Sequence, residues 1–223
     1  MRDAYDLLFK HISREKLFDS AIEDIVFVEE NLLKEQWENQ KLKLLNGVEL
    51  SVRGYGRDGD GTRSFMKLYE KLFGHDNIKR DSSNNAAPTK LLAELTPYYK
   101  KERKTNPKEL IQNYKIAHLF GRTKNPLLFN AAWNIAYIPT YLDPFTGHES
   151  TGEHSEAFKA VFTPIITKRF KDYILDYNAF VNENIEPKLD EALTETRKAL
   201  RINKDDFERF EREAKIELSV IKI

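Results

Sequence analysis

Two short apolar runs joined by a basic turn limit what this chain can fold into. Residues 114–149 read YKIAHLFGRTKNPLLFNAAWNIAYIPTYLDPFTGHE. Lys115 to Phe120 alternates loosely and predicts a strand, GRTKNP a turn, and Trp133 to Ile138 a second strand that Pro139 closes because it has no N–H to give a ladder. Strands this short must be buried by something else, and the rest of the chain offers mainly helical spacing.

Composition decides which chemistries remain. The chain has 223 residues and no cysteine, so a disulfide framework and a thiolate metal site are both excluded, and any bound metal must use nitrogen and oxygen ligands. A reducing, cytoplasmic setting fits that usage. No apolar run reaches the ~18 residues of a membrane span. The N-terminus lacks the basic and apolar regions of a signal peptide. Formal net charge is zero, from 36 basic and 36 acidic residues, yet between Lys90 and Lys124 nine Lys or Arg stand against three Glu. Residues 1–47 and 176–223 each carry three more acids than bases. A central cluster of positive charge attracts a polyanion whatever the total.

In chain order, residues 3–18 space their apolar positions for one helical face. Ser20 to Glu23 reads as a capping box for a longer helix through Ile25, Leu33 and Trp37, ending at Asn46-Gly47. Val48 to Val52 predicts a short strand running into RGYGRDGDGT. Gly54, Gly56 and Gly59 there match a dinucleotide-loop spacing, but no second strand ending in an acid follows at the required distance, and no Gly-Lys-Ser/Thr completes a P-loop. What is left is a loop whose Arg53, Arg57 and Arg63 suit phosphate contacts or a solvated surface equally. Thr62 is expected to cap a helix to Phe73 that Gly74 ends. Residues 75–89 read as a polar boundary or DNA-facing loop, and Lys90 to Leu95 as one or two helical turns. Tyr98 and Tyr99 beside TPYYKKERK fit nucleic-acid contact or a solvated basic face. After residue 153, Phe158 to Val181 keeps helical spacing for more than six turns, with Pro164 as a kink or fresh start. Two charged helices broken near Asn203 follow, and IELSVIKI is a candidate closing strand.

At the residue level the central stretch resembles the His-Asn-His (HNH, or His-Me finger) nuclease family. His118 on the first strand, Asn134 on the second, and a residue some nine positions later match that motif, and NIAYIPTYLD is similar to its asparagine segment. The resemblance covers about residues 114–175. It implies a ββα-metal finger at 114–175, and the helical spacing on either side makes the expected fold α+β and predominantly helical, with a helical region carrying DNA-contacting loops at 1–113 and a helical arm at 176–223. The chain departs from the family in lacking paired Cys-x-x-Cys knuckles, and in carrying Ala117 where several members have a metal ligand.

The resemblance implies a metal-dependent DNA endonuclease like a type II restriction enzyme. His118 would be the general base, and one Mg²⁺ or Mn²⁺ per chain, with Zn²⁺ also compatible, would be held by Asn134 and by Asp143 or His148. Arg122 and Lys124 would clamp phosphates. Its partners would be double-stranded DNA and a second copy in a homodimer, with no nucleotide cofactor. The competing reading is a non-catalytic helical DNA-binding or protein-interaction module in which His118 is a core residue and Asn134 a turn residue. A PD-(D/E)xK site is weaker, since its nearest match, Glu102-x-Lys104, lies in a charged run. Convergence of His118 and Asn134 with Asp143 or His148 separates the first two.

Overall fold

The computed structural model describes residues 4–55, 59–100, 108–146 and 152–223. The fold is α+β and predominantly helical, with three two-stranded sheets among the described residues. Its N-terminal part holds α1 (Ala4–Leu8), α2 (Arg14–Glu23) and α3 (Glu30–Leu45). The expected capping box is not the helix start. Ser13 caps α2 by accepting the Lys16 N–H at 3.3 Å, while Ser20 sits inside the helix and bonds back to the Lys16 carbonyl at 2.9 Å. The predicted helix through Ile25 fails for a tertiary reason. Val26 exchanges both backbone hydrogen bonds with Tyr137, at 2.9 and 3.0 Å, so this segment must be extended.

β1 (Leu50–Val52), α4 (Asp60–Phe73) and β2 (Ile78–Arg80) form a parallel βαβ unit with Val52 opposite Arg80. Gly59 and Gly74 bound α4 with φ of 84° and 76°, conformations that cost glycine nothing. Thr62 is not the cap. Its hydroxyl instead closes the preceding loop, accepting from the Tyr55 N–H at 2.8 Å and donating to the Tyr55 carbonyl at 2.9 Å. The stretch 75–89, expected as a loop, contains β2 and the start of α5 (Ala86–Leu95). Buried Asp81 makes that start possible by accepting the N–H groups of Ser83, Ala86 and Ala87 at 2.7–3.0 Å. Tyr98 and Tyr99 form β3 (Tyr98–Tyr99), paired in parallel with β4 (Glu109–Leu110).

β5 (Tyr114–His118) and β6 (Ile135–Pro139) are antiparallel, with His118 opposite Ile135 and Tyr114 opposite Pro139. Every residue of β6 is buried. It is covered on both sides, by β5 and by the Val26 bridge, which explains its unbroken apolar run. α6 (Asp143–Thr146) follows, then α7 (Glu153–Arg169) and α8 (Lys171–Asn184). The long helix breaks at Phe170, not at Pro164, which lies inside α7. α9 (Glu186–Leu200) and α10 (Lys204–Leu218) complete the chain, and Asn203 caps α10 by accepting the Asp206 N–H at 3.0 Å. The terminal segment is not a strand. α10 runs to Leu218, after which Ile221 exchanges hydrogen bonds with the Asn178 side chain at 2.7 and 2.9 Å.

One hydrophobic core joins all three expected segments, from Phe18 and Trp37 through Trp133 and Tyr137 to Phe210 and Leu218. At its centre Trp133 meets Trp37 edge to face and stacks on Tyr173. No helix among the described residues is long and apolar enough to cross a membrane.

Candidate active site

The loop between β5 and β6 is built by three side chains. Gly121 and Arg122 take left-handed backbone conformations with φ of 65° and 57°, turning the chain directly after His118. Such a φ strains arginine. The strain is held by the guanidinium, which donates to the carbonyls of Ser219 and Val220 and to the Ser219 hydroxyl. Asn125 binds inward. Its Oδ1 accepts from Leu127 and Leu128 N–H, and its Nδ2 donates to the Tyr177 hydroxyl and the Glu217 carbonyl at 2.9 and 2.8 Å. Asn134, fully buried, accepts the Phe120 N–H at 2.8 Å and donates to the carbonyls of Leu128 and Gly121 at 2.9 and 3.3 Å.

His118 is the residue this loop presents. Its ring stacks on Phe129 with centroids 5.2 Å apart and planes within 10°, and Nε2 lies 3.0 Å from the Phe129 carbonyl. A carbonyl only accepts, so Nε2 carries the proton and Nδ1 keeps its lone pair. No described residue bonds to Nδ1. Burial pushes the pKa down to about 4. The Phe129 carbonyl opposes that shift and the Arg53 guanidinium adds to it. The imidazole is therefore neutral at pH 7, oriented, and within the field of a cation.

The other expected site residues go elsewhere. Asn134 is not a metal ligand in this arrangement, because its oxygen and both amino hydrogens are used to hold the loop. Asp143 does not reach His118. It pairs with Lys115, whose side chain leaves β5 on the face opposite His118, and α6 begins beyond the far end of the hairpin. His148 and Arg57 lie outside the described residues. Among the described residues no three His, Asp or Glu side chains form a metal-holding group. Asn134 and Asp143 thus do not fit the divalent ion that the resemblance implies, and no chemical step is assigned to it.

Nor are Arg122 and Lys124 phosphate clamps. Arg122 is spent on the C-terminal segment, and Lys124 pairs with buried Glu217 at 2.8 Å. Lys108 donates to the carbonyls of Ala93, Glu94 and Thr96 at the end of α5, so it too is drawn inward from the basic cluster. Arg63 is paired with Asp60 at 3.0 Å on the surface. Arg53 ties its main chain to the loop, its backbone N–H on the Thr123 carbonyl at 2.9 Å, and its charge acts on His118. Two residues that matter here escape the sequence pattern. Phe129 orients the histidine through a backbone atom, which no side-chain motif records. Asn125 was legible in principle, since Asn-Pro opens turns by bonding the backbone two residues on.

An α+β, mainly helical fold around a buried hairpin is the class these observations define. Residues 28–223 match the family described as "Uncharacterised protein PM1201", and the chain belongs to it. A Pasteurella multocida (strain Pm70) protein of the same description is 39% identical over 225 residues, covering 99% of this chain and 98% of the relative. No solved structure matches.

Proposed function

We propose that the chain is a DNA endonuclease in which His118 is the general base. The observation that carries this reading is the oriented neutral imidazole, with its Nε2–H on the Phe129 carbonyl, no described residue bonded to Nδ1, and the positive charge of Arg53 acting on it. Phosphodiester hydrolysis needs a base to take the proton of the attacking water and positive charge to neutralise the phosphate. His118 supplies the first and Arg53 the second. A pKa of about 4 makes the free histidine a weak base, and a bound phosphate beside Arg53 raises its basicity by cancelling the cation that depresses it.

Cutting both strands at a symmetric site is simplest for a two-fold dimer, and the reading includes one. Exposed Leu42, Leu45 and Val48 at the end of α3 offer it an apolar patch. A non-catalytic binding module is the second reading. It is favoured by the engagement of Asn134, Arg122 and Lys124 in holding the loop, which explains their presence without chemistry. A plasmid-cleavage assay with Mg²⁺, with Mn²⁺ and with EDTA separates the two. Linear product lost in His118→Ala supports the nuclease, and intact plasmid under every condition supports the binding module.

A further inference from the structure

A concave basic track runs along β2, α4 and the turn between α9 and α10. It starts at Arg53, which follows Val52, the partner of Arg80 in the β1–β2 pair. The Arg80 side chain lies flat against Gly54. A Cβ at that glycine would stand 2.8 Å from Arg80 Nε and 3.3 Å from Asn84 Oδ1. Asn84, itself left-handed at φ 63°, accepts the Gly54 N–H at 3.1 Å. Gly54 is thus a close-approach glycine that lets Arg80 reach across the strand ends.

Arg80 and Lys79 line an open groove of about 480 Å³, and Arg63 connects it to a second of about 600 Å³ that Arg201 and Arg209 border. The carboxylates in these grooves are partly committed. Asp60 holds Arg63, Glu70 holds Lys67, and Asp206 accepts from Asn203 at 2.6 Å, while Asp76 also lines the first groove, where it faces Lys79, Arg80, Arg63 and Lys67. Arg80, Arg201 and Arg209 make no ion pair with any described residue. Uncompensated guanidiniums spaced along a concave surface are matched by a ligand with regularly spaced negative charge.

We propose that this track holds the sugar–phosphate backbone of duplex DNA, with Arg80 as its anchor. The proposal rests on the nuclease reading for its substrate, and its test does not require turnover. Binding of fluorescein-labelled duplexes is measured by anisotropy across a salt series in the His118→Ala background, with Arg80→Ala, Arg80→Lys and Arg201→Ala/Arg209→Ala added. Arg80→Ala weakens binding severalfold and lowers the slope of log Kd against log salt by about one, and the double variant by about two. Arg80→Lys keeps the slope and loses affinity only slightly. Gly54→Ala reproduces Arg80→Ala while the melting temperature of Arg80→Ala stays near that of the parent. Unchanged slopes, when protein with His118 intact cuts plasmid, overturn the track and leave the nuclease standing. Altered slopes, when protein with His118 intact leaves plasmid uncut, uphold the track and overturn the nuclease. A parent protein that binds no duplex overturns the track outright.

Discussion

Lys124 and Glu217 form a closed pair across 93 residues of sequence. The carboxylate takes the Lys124 ammonium at 2.8 Å on one oxygen and the Lys124 backbone N–H at 3.0 Å on the other. Glu217 is 6% exposed, and removing one partner of a buried pair leaves the other uncompensated. Glu217→Ala should destabilise the protein by about 3 kcal/mol in urea unfolding. Lys124→Ala should lower stability too and leave the salt slope of DNA binding unchanged. A slope change with no loss of stability would return Lys124 to the phosphate-binding role expected from the sequence.

Asn134→Ala strands the Phe120 N–H and the Leu128 carbonyl in the interior, at about 1–3 kcal/mol for each buried group left unpaired. A midpoint shift in urea at constant m-value is the expected result. Asn134→Asp should be comparably harmful, because a carboxylate cannot donate to the Leu128 carbonyl. Wild-type stability in both would show that the loop is not fastened through this amide.

For His118→Ala, cleavage should fall by about 10²- to 10⁴-fold, the usual worth of a general base. Folding and duplex affinity should be nearly unaffected. Retention of full cleavage would remove His118 from the chemistry.

The pH dependence of stability carries a definite sign. His118 titrates near 6.5 when unfolded and at about 4 when folded, so above the unfolded value both states are neutral and the full stability is present. As pH falls through the window between the two values, the unfolded state takes up a proton that the folded state refuses, and up to about 3 kcal/mol is lost. His118→Phe should flatten that part of the curve, measured as unfolding midpoint against pH. In the same way Arg53→Gln removes a cation that depresses the pKa, so the acid limb of kcat/KM for cleavage should move to higher pH.

Much of the fold was legible in the sequence because its signals are local. The α4 stripe, the Asn203 break and the hairpin with Pro139 at its end follow from periodicity, capping and the missing proline N–H. What was not legible depends on distant partners. Val26 leaves its helix to pair with Tyr137, and β2 exists because β1 lies beside it. The candidate site divides the same way. His118 stands out as a histidine in an apolar run, but the fates of Asn134, Arg122 and Lys124 are set by Phe120, Ser219 and Glu217, which no spacing rule connects to them. Arg80 carries no signal in the sequence, because its neighbour Gly54 is a neighbour only in space.

The loop beyond His118 is tied down chiefly by the end of α10 and the residues after it, through Arg122, Lys124 and Asn125. Local opening of that helix end therefore releases the turn as well, and the two behave as one cooperative unit. Amide protons of Gly121, Lys124 and Asn125 should exchange with solvent at the rate of those late in α10, and slower exchange should persist across buried β6, which is bonded to β5 along its length and to Val26 at Tyr137. His118 thus stands at the border between a stable hairpin and a looser clasp, where a partner gripping α10 gains leverage over the orientation of the imidazole.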